Sequence, residues 1–164
     1  MTLSRLVATW FGVGLMRPAP GTWGSLAALP CVWALHLLGG FALVALATAA
    51  IFAAGWWAAV VETRGAADPD PSEIVIDEVA GMFLALWPVS LGAQIAGVDV
   101  LQLWPGWIVA FLAFRLFDIW KPGPAGWADR QHTPLGLMLD DIFAGLFAAL
   151  VVVAAAALAH GVLM

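Results

Sequence analysis

An all-α integral membrane bundle, with about four or five spanning helices and one further helix at the N-terminal interface, is the fold that the sequence predicts. Three observations carry this prediction. Of 164 residues, 63% are hydrophobic and 10% charged, and the mean hydropathy is +0.98, far outside the average for a soluble domain. The apolar residues fall in runs close to the roughly 20 residues needed to cross hydrocarbon. The few charges gather between those runs instead of alternating with apolar positions. A single membrane-embedded domain over residues 1–164 fits this length.

Residues 3–16 begin with Arg5 ahead of an apolar stretch, as a signal peptide would, but Arg17 and "PAPG" follow in place of a small-residue cleavage site. The segment is therefore expected to be retained as an interfacial helix. Residues 24–38 are short for a span and contain Pro30 and His36, which predicts a tilted or partly re-entrant helix. Gly39 and Gly40 predict a tight turn, because glycine tolerates the dihedrals required. Further spans are expected over 41–61, 77–97, 100–117 and 142–158, the fourth of these five segments carrying Arg115 near its end.

Counting crossings through these segments puts 17–24, 62–78 and 115–141 on one face. All six basic residues (Arg5, Arg17, Arg64, Arg115, Lys121 and Arg130) and every acid except Asp99 fall there. The positive-inside bias makes that face cytoplasmic. Trp10, Trp23, Trp120 and Trp127 sit at the same boundary and are expected to form an aromatic belt. The net charge of -5 comes with no block of like charge, so nucleic acid is excluded as a partner. The one cysteine, Cys31, provides neither a disulfide framework nor a cysteine-based zinc site.

Charges inside apolar runs are the features with chemical content. In "IVIDEVAGMFLALW", Asp77 and Glu78 precede Gly81 and Ala85, which share a helical face with them. "LMLDDIFAGLFAAL" repeats the layout with Asp140, Asp141, Gly145 and Ala149. Small residues at this spacing let membrane helices approach closely, so two such helices would bring their carboxylate-bearing entrances together. "FRLFDIWKP" adds Arg115 and Asp118 on one face and marks a membrane exit at Lys121 and Pro122. A single doublet reads equally as a helix cap. Asp77, Glu78, Asp118, Asp140 and Asp141 on one side of a membrane would repel without a cation, and oxygen ligands without a histidine cluster point to Mg²⁺.

"RPAPGTWGSLAALP" leads Gly21, Thr22, Gly24 and Ser25 into a helix, where backbone N–H groups and two hydroxyls suit phosphate oxygens, although a turn followed by a cap has the same composition. Other phosphatase signatures are missing: no arginine stands six positions after Cys31, and "DPDPS" at 68–72 follows "RGAA" and reads as a loop. His36, His132 and His160 are isolated, which disfavours a histidine nucleophile.

In content and order, "APGTWGSL", "IVIDEVAGM", "FRLFDIWKPGPAGWADR" and "GLMLDDIFAG" resemble the motifs of the phosphatidylglycerophosphatase A family. The resemblance implies a Mg²⁺-dependent enzyme of the bacterial inner membrane that removes the terminal phosphate of phosphatidylglycerophosphate to leave phosphatidylglycerol. The matching positions are Gly21, Thr22, Gly24, Ser25, Asp77, Glu78, Gly81, Arg115, Asp118, Lys121, Asp129, Arg130, Asp140, Asp141 and Gly145. Two departures stand out: Pro134 and Leu135 replace a glycine pair before Gly136, and Arg17 stands where the family often has Ser-Pro.

The expected division of labour has Asp77, Glu78, Asp118 and Asp141 as metal ligands, with Asp140 or Asp118 as general base. Arg17, Thr22, Ser25, Arg115, Lys121 and Arg130 are the candidates for holding phosphate. Direct attack by water and an aspartyl-phosphate intermediate both remain open. A cation transporter is a rival reading, but it would place its carboxylates near the midplane. An alcohol phosphotransferase acting on lipid head groups is another, and its spaced-aspartate signature is missing.

Overall fold

The computed structural model describes residues 1–65 and 71–163. Part of the 68–72 loop, residues 68–70, and the side chain of His160 lie outside the described residues. Those described are helical or irregular, with no strand among them. Seven α-helices follow in order: α1 (Leu3–Ala8), α2 (Pro20–Glu62), α3 (Ile76–Ala85), α4 (Trp87–Ala96), α5 (Trp104–Trp120), α6 (Pro124–Asp129) and α7 (Pro134–Leu163). Four helical stretches are long and apolar enough to cross a membrane, among them Ile76–Ala96 and Val100–Trp120.

The 43-residue α2 is two arms joined at the predicted glycine turn. Gly40 has φ 62° and ψ -157°, a conformation few residues other than glycine adopt. A Cβ there would also stand 2.5 Å from Gln94 Oε1, which accepts a hydrogen bond from Phe41 N at 2.8 Å. The chain reverses at this point, because Gly24 in the first arm packs on Val75 while Gly55 in the second packs on Ile76 and Met138. The first arm starts earlier than the sequence suggests, at Pro20, and continues through Pro30. At 1.5 Å per residue it rises about 28 Å, close to the thickness of bilayer hydrocarbon.

Two expectations need correction, and one expected span is interrupted. Residues 3–16 are not one helix: α1 stops at Ala8, and Trp10, Phe11 and Gly12 all take positive φ before a 3₁₀ turn at Val13–Leu15. The hydroxyl of Thr9 produces the stop by donating to the Arg5 carbonyl at 2.7 Å and accepting from Gly12 N at 3.1 Å. The expected span over 77–97 is present as Ile76–Ala96 and is interrupted only at Leu86, between α3 and α4, since Pro88 has no N–H to offer the Leu84 carbonyl. Finally, α7 begins at Pro134 rather than near 142. Proline is preorganised for a first helical position, and the Thr133 side chain accepts from Gly136 N at 3.0 Å. Asp140 and Asp141 therefore lie well inside a helix and not at its entrance.

α3 is the central element. Val79, Met82, Phe83, Ala85 and Leu86 are fully buried among α2, α5 and α7. The outer helices turn large apolar side chains outward, including Leu38, Leu46, Leu112 and Ile119, as lipid contact requires.

Candidate active site

α3 and α7 cross backbone to backbone. A Cβ on Gly81 would stand 2.5 Å from the Asp141 carbonyl oxygen, and one on Gly145 would press into the Gly81 carbonyl. The small residues picked out in the sequence thus make the crossing that unites the two acidic doublets. Asp77 and Glu78 occupy the first turn of α3. Their carboxylates meet that of Asp141, with one oxygen from each lying within 4.8 Å of the others. The Glu78 carboxylate also fills the space beside Gly21 where a side chain would begin, so a bulkier residue at that first turn of α2 would displace it.

These groups line an open cavity of about 310 Å³ together with Arg115, Asp118, Lys121 and Asp140. Arg115 pairs with Asp118, and Lys121 donates to both Asp129 and Asp140. Burial by itself would lower the pKa of Lys121, but the hydrogen bonds that it donates to Asp129 and Asp140, with the nearby charge of Asp141, outweigh it and hold the ammonium above its ordinary range. Five carboxylates and two basic groups line the cavity, and both basic groups already have acidic partners. Glu78 Oε2 and Asp141 Oδ1 are buried with no hydrogen-bond partner. Unpartnered carboxylate oxygens in a site this acidic are costly. The donor set, all carboxylate oxygen, fits a hard divalent cation such as Mg²⁺.

Of the residues singled out in the sequence, Asp77, Glu78, Arg115, Asp118, Lys121, Asp140 and Asp141 converge on this cavity. Asp118 faces Arg115 and is not one of the three carboxylates grouped most tightly. Gly21 lines the cavity as well, and the remaining candidates stand apart from it. Ser25 is buried and donates to the Gly21 carbonyl at 2.8 Å, holding the first turn of α2, and Thr22 is half-buried outside the lining. Arg130 is exposed on the surface after α6. Arg17 lies 3.6 Å from Glu73 and 3.4 Å from Ser72, a residue at the cavity rim. His36 approaches Ser90 Oγ at 2.8 Å, about 22 Å along the first arm from Gly21. His132 is exposed.

The family model described as Phosphatidylglycerophosphatase A matches residues 6–156. The chain belongs to the phosphatidylglycerophosphatase A family. A Haemophilus influenzae protein named Phosphatidylglycerophosphatase A is 37% identical over 150 residues, covering 91% of this chain and 86% of that one. The Escherichia coli protein of the same name is 35% identical over 146 residues, 88% of this chain and 78% of its own. A Bacteroides thetaiotaomicron protein with the provisional name phosphatidylinositol-3-phosphatase is 33% identical over 156 residues, 92% and 91% of the two chains. No solved structure matches the chain.

The phosphatidylglycerophosphatase A motifs come from four places in the sequence and meet at one end of the bundle. What motif reading missed are cavity-lining residues without charge: Ser72, Ile74 and Ile119. For Ile119 a positional signal exists, since it follows Arg115 by one helical turn and adjoins Asp118. Glu73 was also passed over, and it ties Arg5 and Arg17 to the segment leading into α3.

Proposed function

We propose that the protein is a phosphatidylglycerophosphate phosphatase of the bacterial inner membrane, with the cavity opening on the cytoplasmic side and Mg²⁺ held by Asp77, Glu78 and Asp141. The observation that carries this reading is the trio of converging carboxylates with unpartnered Glu78 and Asp141 oxygens, in a chain of this family. A phosphate monoester is repelled by so acidic a cavity unless positive charge is added. Bound there, Mg²⁺ would supply that charge and Lewis-acid polarisation of the phosphate.

The remaining roles fall to the chain itself. Lys121, held between Asp129 and Asp140, and Arg115, held by Asp118, present fixed donors to phosphate oxygens. Asp118 or Asp140 accepts the proton of an attacking water. The water oxygen bonds to phosphorus, the bond from phosphorus to the glycerol oxygen breaks, and that oxygen takes up a proton to give phosphatidylglycerol and phosphate. Arg17, beside the rim residue Ser72, and Arg130, exposed after α6, would draw anionic head groups towards this end of the bundle. The carboxylates lie at one end of the bundle rather than at mid-depth, which removes support from cation transport.

The test is purified protein in vesicles supplied with a panel of lipid phosphates. Phosphatidylglycerophosphate should be the preferred source of released phosphate, with EDTA abolishing release and Mg²⁺ restoring it. Release that survives EDTA, or a clear preference for a phosphoinositide, would overturn the assignment.

A further inference from the structure

The cavity has two exposed rims of opposite character. On the segment before α3 the exposed lining residue is Ser72, next to Glu73 and within reach of Arg17. On α5 it is Ile119, which lines the same cavity although it is 74% exposed. Ile119 ends an outward apolar face that also carries Ile108, Leu112 and Leu116, at the i, i+4, i+8 and i+11 positions of one helical stripe. Across the charged interior lie Pro20 and Gly21, on the first turn of α2. A Cβ at Gly21 would come within 3.3 Å of Arg115 Nη1, so the start of α2 and the end of α5 stand close on either side of the carboxylates. The charged interior therefore reaches the lipid-facing surface at Ile119.

A phospholipid's acyl chains lose hydrophobic contact at every methylene drawn into water, while its phosphate must reach buried carboxylates. Both demands are met when the head group enters sideways from the bilayer across an apolar rim. The Ser72 rim, flanked by Glu73 and Arg17, is polar and suits water and released phosphate instead.

Resting on the lipid phosphatase reading above, we propose that the substrate docks laterally, its diacylglycerol end against Ile119 and the adjoining Leu116 and Leu112 of α5. Two substitutions change this rim by different means: Ile119→Asn makes it polar and Ile119→Trp makes it bulky. The readout is phosphatidylglycerol formed from vesicle-borne phosphatidylglycerophosphate, with inorganic phosphate as a competing probe that has no acyl chains.

In both variants KM for the lipid should rise, and kcat/KM should fall about tenfold, or about 1.4 kcal/mol, while the inhibition constant of inorganic phosphate moves less than twofold. Ile95→Asn, equally lipid-facing on α4 but remote from the cavity, should match the wild type. Lateral docking is overturned if both Ile119 variants keep lipid kcat/KM within twofold of wild type, if phosphate inhibition weakens in parallel, or if Ile95→Asn loses as much. Wild-type protein that forms no phosphatidylglycerol would instead overturn the functional assignment on which docking rests.

Discussion

Asp141 is 3% exposed, stands against two other carboxylates and has one oxygen without a hydrogen-bond partner. Like charges held this closely oppose folding until a cation joins them, so ion binding and stability should be linked through this residue. Asp141→Asn keeps the size and removes a charge. Its melting temperature in EDTA should equal or exceed that of the wild type, and added Mg²⁺ should raise the wild-type value but not the variant's. Activity should drop by roughly two orders of magnitude or more, since losing even a group that only hydrogen-bonds a metal ligand costs roughly 10–100-fold. Thermal unfolding in detergent, followed with and without Mg²⁺, separates this from a folding defect; a variant still stabilised by Mg²⁺ would exclude Asp141 as a ligand. The acidic residues were legible in the sequence because a charge inside an apolar run is too costly to be incidental. Ser72 was not, since a serine in a loop differs in nothing from its neighbours until the helices are assembled, and Ile119 was legible only through its position one turn after Arg115, because its side chain is one apolar group among many.

Helix by helix, the small-residue spacing proved the most informative signal, because Gly81 and Gly145 leave no room for a side chain at the α3–α7 crossing. Gly145→Leu should therefore force α3 and α7 apart, at an overpacking cost of about 1–3 kcal/mol. Separating the helices also separates Asp141 from Asp77 and Glu78, so activity should be lost together with thermal stability. Gly92→Ala in α4 is the matched comparison. The nearest atom to a Cβ there is 3.8 Å away, so the change should be neutral or stabilise by up to about 1 kcal/mol through helix propensity. Paired unfolding and activity measurements check both; a Gly145→Leu enzyme with wild-type activity would show that the crossing does not set the site. The glycine turn at 39–40 was legible for the same kind of reason, in that few other residues suit it. Helix ends were less so. Thr133 with Pro134 starts α7 about two turns before the apolar run, and Thr9 stops α1 early, because a hydroxyl's capping bond depends on local geometry that hydropathy does not record.

Across the whole molecule, the two ends of the bundle differ in kind. One holds the cavity and all six lysine and arginine side chains, tied together by the Arg5, Arg17 and Glu73 contacts and by Lys121 between Asp129 and Asp140. The other holds the Gly40 turn, braced by Gln94, and the 3₁₀ turn at Val100–Leu103 capped by Asp99. Basic residues are retained on the cytoplasmic side during insertion, and an enzyme working there would need its carboxylates at that end. Exposed polar positions mark each end without touching the cavity: Gln131 ahead of α7 and Gln102 in the 3₁₀ turn. Single cysteines at these positions, on a Cys31→Ser background, convert sidedness into a labelling pattern. In intact spheroplasts a membrane-impermeant thiol reagent should modify Gln102→Cys and leave Gln131→Cys untouched, and permeabilisation should make both reactive. The reverse pattern would place the carboxylates on the outer surface and overturn the cytoplasmic assignment of the cavity. Equal labelling of both positions before permeabilisation would mean that the reagent had leaked. Because every basic side chain lies at the cavity end, no partial inversion of the bundle satisfies the charge bias, and the labelling result fixes the orientation of all spanning segments together.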